Sequence, residues 1–421
     1  MPFLQELSLL EGAPAAQTTL LRTWLGARPR ELFDELRPAR PILALPGLVL
    51  VTRYRDVLEV LSRDRDFGVA AYAPKMHRSV GDFFLGMEDG PVYEREVSIM
   101  RLASSREDLP RLEQSIGEWA DAFVAEKAAA GRLDVVGDVS RRVPGKLVAE
   151  YFGASGPNEE TRLRWLRSLF RDIFLNPGDR DPAVRDAALA AAAELCVWLD
   201  EWISGLICRA QAGEALPDTV LARCVRMQSA PETALDVIGI RRNIAGLIVG
   251  TIDTTSECVV NALDFLLDRP ELLARAAAAA RDGTLDDVRG FVFEALRFNP
   301  QAPFLTRFAL APATLARGTE RETPVPAGSV VIAALMSAMS DERELDVPDE
   351  FNPARPARHY LHFGYGLHQC FGRHINQLQL PLIARALLRL PGLRRAPGEE
   401  GKVEFDGPFP NRLLVDFDPV C

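Results

Sequence analysis

Near its C-terminus the chain reads Phe363-Gly364-Tyr365-Gly366-Leu367-His368-Gln369-Cys370-Phe371-Gly372, one cysteine on a glycine-punctuated turn ahead of an apolar, helix-like stretch. Gly364 and Gly366 admit backbone conformations that a Cβ resists, so the turn is free to aim N–H groups at the sulfur. A helix starting just past Cys370 adds the positive end of its dipole. Both effects favour thiolate over thiol, and a thiolate is the donor a soft transition metal takes as an axial ligand. Gly372 leaves the helix backbone bare for close approach of a flat cofactor. Two plainer readings compete. A cysteine after a glycine turn is often simply a small apolar residue. Four of the five histidines (His359, His362, His368, His374) crowd this segment and raise zinc, yet the paired-ligand spacing of zinc sites is missing.

A second constellation lies in a run from about Asp236 to Asp268, which reads as one long apolar helix stopped before Pro270. Ile238, Ile240, Ile244, Leu247, Ile248, Val249, Ile252, Val259, Val260 and Leu263 cover more than one face, as a central helix requires. Its middle is Gly250-Thr251-Ile252-Asp253-Thr254-Thr255, where glycine costs about 1 kcal/mol relative to alanine. Threonine hydroxyls there bond carbonyls one turn back and bend the helix. The turn is therefore either a kink with a satisfied polar pocket, or room for a diatomic ligand with Asp253 and Thr254 as a proton relay. A third segment, Phe291-Val-Phe-Glu294-Ala-Leu-Arg297, sets an acid and a base three apart on one helix face. Exposed, such a pair contributes only about 0.2–0.5 kcal/mol.

Together the three segments resemble the cytochromes P-450. Phe363, Gly364, His368, Cys370 and Gly372 fill that family's haem-binding loop. Gly250 to Thr254 is similar to its oxygen-activation motif, with Thr251 where glycine is frequent. Glu294, Arg297 and the later Arg355 match an ionic network that holds the cysteine loop as structural residues. The motifs stand in family order, and the resemblance covers roughly Val49 to the end.

The resemblance implies one domain over residues 1–421, mainly α with a small β-rich lobe. Haem b is expected between the long central helix and the cysteine-loop helix, with Cys370 on the iron. His368 and Arg307 match positions that hold the haem propionates. Tyr93 stands where the family has histidine and Val97 where it has arginine, leaving Tyr93 a hydrogen bond to give and Arg101 or Arg95 a charge. Substrate-facing positions map to the loop around Phe67 to Phe84, the stretch Trp165 to Phe174, Gly246, Val249, Gly250, Pro303, Phe304 and Leu305. Nearly all are apolar, and Gly246 implies a widened slot. The implied reaction is oxygen insertion into a C–H bond of a terpenoid, steroid or fatty acid, with Asp253 and Thr254 as catalytic residues. Two alternatives differ in class: a peroxide-using or hydroperoxide-rearranging haem-thiolate enzyme, and a non-enzymatic haem or zinc binding protein.

Composition bounds these readings. With 421 residues and 48% apolar content there is material for a large core. A net charge of −10 argues against nucleic-acid binding. Six irregularly placed cysteines make no disulfide framework and suit a reducing, cytoplasmic setting. No signal-peptide pattern marks the first residues, and the most apolar helix core offers only nine residues between Asn243 and Asp253, so a soluble, monomeric chain without a membrane anchor is expected. No flavin or iron–sulfur segment is visible, so electrons must come from outside. A ferredoxin with its ferredoxin reductase is the expected donor, docking where Arg358, Arg373 and Arg101 supply charge. Pro41 to Thr52 reads as two short strands about a Pro-Gly turn, followed by a helix near Tyr54 to Ser62. Pro91 to Asp268 has helical period almost throughout. Val325 to Ala333 is a turn into a buried strand, and Asp346 to Pro356 an irregular loop.

Overall fold

The computed structural model describes residues 1–69 and 72–419, so Ala70, Ala71, Val420 and Cys421 lie outside the described residues. Two compact units are each assembled from two chain segments, Met1–Ala71 with Phe293–Cys370, and Tyr72–Val292 with Phe371–Cys421.

In the first unit, Ile42–Leu45 and Leu48–Val51 form an antiparallel hairpin, with Gly47 in the left-handed region at φ 73°. Val330–Ala333 adds to Leu48–Val51 in parallel, and Leu305–Ala309 then Phe67–Gly68 extend the sheet antiparallel. This is the β-rich lobe expected from the sequence. Side chains alternate across a sheet. Val49 and Val51 enter one apolar core with Val57, Leu61 and Val331, while Leu48 and Leu50 enter another with Ile332. Both faces are covered, which is why Leu48-Val-Leu-Val51 carries no polar alternation. The second core is closed by the helices Pro14–Ala27 and Pro29–Ala39, each opening on a proline where no intrahelical donor is lost. By sequence pattern alone this stretch is mixed and shows neither helix plainly.

The second unit is mostly helical. The single long helix expected from Asp236 to Asp268 is two, Val237–Val249 and Ile252–Leu267, with Gly250 and Thr251 between them. The Thr251 hydroxyl donates to Leu247 O at 2.9 Å and the Thr254 hydroxyl to Gly250 O, so side chains engage carbonyls of the very turn that breaks. Asp236 starts the first helix by accepting from the Gly239 amide at 2.6 Å. The stretch expected to be helical from Pro91 onward also holds a strand. Arg132–Asp134 pairs with Leu414–Asp416, whose partners are far away in sequence and so left no local signal. Glu404–Asp406 and Phe409–Arg412 form a further hairpin. Among the described residues no helix is long and apolar enough to cross a membrane.

Candidate active site

The last turns of the helix Leu285–Phe298, which belong to the first unit from Phe293 onward, carry a buried ionic cluster. Glu294 and Arg297 are both fully buried, with Arg297 Nη2 2.8 Å from Glu294 Oε1 and Nε 3.1 Å from Oε2. Arg355 Nε reaches the same carboxylate at 3.2 Å, the Asn352 amide donates to it at 3.0 Å, and the Tyr360 hydroxyl at 2.9 Å. Burial works to raise the Glu294 carboxyl, but these donors and both guanidiniums outweigh it and hold the group below its ordinary range. The remaining arginine donors are taken by carbonyls, Arg297 by Met339 O at 3.0 Å and Arg355 by Asp346 O at 3.0 Å. Such a cluster is stable because every ion has both a partner and hydrogen bonds.

The cluster is continuous with the cysteine loop. His362 stacks on Tyr360 with ring centroids 5.3 Å apart and bonds Phe293 O through Nε2 at 2.9 Å. Burial keeps this imidazole neutral, down to about 4. Phe363 meets Phe293 edge-on at 5.9 Å. The loop then closes on itself: the Cys370 amide donates to Phe363 O at 2.8 Å, and Gln369 Nε2 to Gly364 O at 3.3 Å. Gly364 and Gly366 sit at φ 67° and 76°, and a Cβ on Gly366 would lie 2.0 Å from Leu61 O. Both glycines are thus dictated by backbone geometry and contact. Leu305 abuts Gly364, 3.2 Å from where a Cβ would stand. Cys370 and His368 are half-buried, and Arg307 is buried on its strand with Nη1 donating to Thr306 O at 3.1 Å. Pro303 O accepts from Met336 N at 3.0 Å, and Phe304 packs against the second core.

In the second unit, Gly372 caps the helix Arg373–Leu388. Thr255 bonds Asn376 of that helix at 3.3 Å, and Ser256 bonds Ser140 at 2.7 Å, tying the helix Ile252–Leu267 to both segments. A Cβ at Gly250 would meet no heavy atom within 4 Å, so the broken turn has open space beside it. Gly246 does not. A Cβ there would lie 2.2 Å from Phe83 Cδ2, and the Phe83 ring, fully buried, occupies the slot expected at this glycine. Val249 is buried as well. Asp253 is buried against two cations, Arg167 Nη2 at 2.7 Å and Arg141 Nε at 3.4 Å. Tyr93 is buried edge-on to Phe84, whereas Arg101, in the last turn of the same helix Pro91–Ala103, is exposed. Sequence reasoning missed Arg141, Arg167 and the capture of Gly246 by Phe83, because no local spacing links residues so far apart in the chain.

A cytochrome P-450 family model matches residues 214–406. The cytochrome P-450 monooxygenase PikC of Streptomyces venezuelae is 30% identical over 309 residues, 72% of this chain and 67% of that protein. The chain belongs to the cytochrome P-450 family. A bifunctional dioxygenase–epoxy alcohol synthase of Fusarium oxysporum is 33% identical over 170 residues, and there the match spans 36% of this chain but only 13% of that protein. In fold, the crystal structure of CalO2 superposes with a TM-score of 0.80 at 23% identity, covering 94% of this chain and 97% of that one. The family's cofactor is haem b, and the donor chemistry here fits it. A porphyrin brings four nitrogens and asks the protein for an axial donor. The described residues of the first unit contain one cysteine, Cys370, and among the described residues no three His, Cys, Asp or Glu side chains gather as a bare metal ion would need.

Proposed function

We propose that this P-450 inserts one oxygen atom of O2 into a C–H bond of a hydrophobic small molecule, using electrons from an external donor. The loop that presents Cys370, braced by the Glu294 cluster, carries the reading. Bound haem supplies the oxygen chemistry: substrate and O2, with two electrons and two protons, give the hydroxylated product and water. Cys370 would hold the haem iron through its thiolate. Phe363, Gly364 and Gly372 belong to the loop motif around it, and His368, Arg307 and Tyr93 are the donors that would hold the propionates. Arg101, exposed in the structure, fits a docking role better than a propionate contact.

Thr254 and Asp253 handle protons. The Thr254 hydroxyl donates to Gly250 O, which leaves its oxygen lone pairs to accept a proton-carrying water in the open space at Gly250. Asp253, one residue earlier, passes protons at its carboxylate. The positions the family resemblance assigns to substrate, Val249, Gly250, Pro303, Phe304 and Leu305, are apolar in residue type, which suits a terpenoid, steroid or fatty acid, while Phe83 fills the room beside Gly246. Arg101, Arg358 and Arg373 offer charge to an acidic ferredoxin, and reversing them should slow reduction more at low salt than at high salt.

A second reading is hydroperoxide rearrangement by a haem-thiolate enzyme, kept open because the Fusarium dioxygenase–epoxy alcohol synthase matches 36% of this chain. The Asp253-Thr254 pair weighs against it, since rearrangement takes up no protons. The deciding experiment is the carbon monoxide difference spectrum of the reduced protein, followed by turnover. A strongly red-shifted Soret band and oxygen-dependent product with ferredoxin and reductase support the proposal. A band without that shift removes Cys370 as thiolate ligand, and turnover with an organic hydroperoxide alone selects the rearranging enzyme.

A further inference from the structure

We infer that Asp406 is a positioning residue that, acting through Arg167, controls how tightly Asp253 is held. The inference rests on the reading of Asp253 as the proton-handling acid. Arg167 divides its guanidinium between two carboxylates: Nη2 and Nε lie 2.7 and 3.3 Å from Asp253, and Nη1 lies 3.2 Å from Asp406 Oδ2. The side chains grade outward from water-poor to wet, with Asp253 6%, Arg167 19% and Asp406 46% exposed. A planar guanidinium has donors enough for both acids, but its charge is shared.

The surroundings are built to hold this division. Asp406 ends the strand Glu404–Asp406, and Gly407 follows at φ 61°. A Cβ on Gly407 would sit 2.9 Å from Arg171 Nη2, so the glycine lets Arg171 lie across the turn and reach Asp406 at 3.7 Å. Phe409, on the returning strand and 1% exposed, lies under the Arg167 guanidinium at 5.3 Å and against Phe170 at 5.5 Å. Arg141 closes the far side, in ionic contact with Asp253 and donating to Pro410 O of the same hairpin. The C-terminal hairpin is therefore a fixed part of the acid's environment.

An acid that moves protons must exchange its cation for a proton and take the cation back. No electron moves in this cluster: a proton enters from water, neutralises the Asp253 carboxylate, and leaves toward the Thr254 hydroxyl. Asp406 draws part of the Arg167 charge toward solvent and so eases that exchange. Removing Asp406 gives Arg167 wholly to Asp253, and removing Arg167 leaves Asp253 with Arg141 alone. The two changes should act in opposite directions.

The holoprotein is tested without substrate, with a surrogate ferredoxin, its NADPH-dependent reductase and O2, in light and heavy water. Asp406→Asn should slow NADPH oxidation about two- to five-fold, the range of one exposed ion pair, and raise the solvent isotope effect. Arg167→Gln should lower the isotope effect, and Asp253→Asn should make the Asp406→Asn change silent. The Asp253–Arg167 coupling, measured by double-mutant cycle from urea unfolding, should rise in the Asp406→Asn background. A wild-type rate and isotope effect in Asp406→Asn, beside a slowed Asp253→Asn, overturns the inference and leaves the acid reading intact. An Asp406→Asn effect that persists without Asp253, or that matches Arg167→Gln in sign, also overturns it. If Asp253→Asn itself changes nothing, the acid reading falls first and this inference with it.

Discussion

Gly246→Ala is a one-carbon change whose cost follows from three distances. The new Cβ would stand 2.2, 2.3 and 2.6 Å from Cδ2, Cγ and Cδ1 of Phe83. Carbon atoms in good contact are about 3.5–4.0 Å apart, so the ring must retreat by more than about 1 Å. Phe83 is fully buried, and its flank is held by Arg242 Nη1 donating to Asp82 O at 2.7 Å. The ring therefore has little room, and overpacking of this kind costs about 1–3 kcal/mol. Phe83→Ala alone should cost about 3–5 kcal/mol through the cavity it leaves. In the double variant the methyl added at position 246 occupies part of that cavity, so the total falls short of the sum by about 1–2 kcal/mol. Urea unfolding of the holoprotein, followed by tryptophan fluorescence and Soret absorbance together, measures the cycle. A Gly246→Ala variant within about 0.5 kcal/mol of wild type, or strict additivity with Phe83→Ala, would refute the claim that the ring fills the glycine notch.

Glu294→Gln strips the shared partner from two buried guanidiniums and should cost about 3–5 kcal/mol in urea unfolding, whereas Tyr360→Phe removes one hydrogen bond to a charged acceptor, about 1.5–3 kcal/mol; equal costs would mean that the cluster is not the brace described. His362 is neutral when folded, down to about 4, and titrates near 6.5 when unfolded, so the unfolded state binds the extra proton and stability falls as pH drops from about 6.5 to about 4. His362→Gln keeps a donor for Phe293 O and should flatten that limb by up to about 3 kcal/mol; an unchanged pH profile argues against a buried neutral imidazole. The Glu294 carboxyl, held low, contributes its stability above about 4.3 and loses it only at lower pH, so the two groups separate in an acid titration. Thr254→Ala should divert reducing equivalents to hydrogen peroxide with little change in their rate of consumption, while Asp253→Asn should slow consumption on the order of tenfold or more with a larger solvent isotope effect.

The outcome at particular residues marks what local sequence carries. The Pro46-Gly47 hairpin, the weak turn at Gly250-Thr251, the pairing of Glu294 with Arg297 and the glycine turn before Cys370 are all legible in the chain, because each is decided by backbone propensity or by neighbours within one helical turn. Family membership is legible for the same reason, since its motifs are short and ordered along the chain. Spacing alone nonetheless suggests a softened turn inside one helix, where the structure has a full break. Whether a helix yields at glycine depends on what its freed carbonyls find, and here threonine hydroxyls supplied the partners.

Tertiary structure alone decided the rest. Gly246 is a slot in the sequence and a seat for Phe83 in the fold, because an absent side chain says only that something approaches. Asp253 is an acid at the right spacing in the sequence and one member of an Arg141–Arg167–Asp406 cluster in the fold. The N-terminal helices and the strand Arg132–Asp134 were hidden likewise, the first by a mixed composition that makes sense only against Leu48 and Leu50, the second by a partner near the C-terminus. Spacing specifies chemistry that a single turn of backbone can hold. Charge partners, filled notches and edge pairings depend on segments that meet only after folding, and no pattern along the chain encodes which ones will.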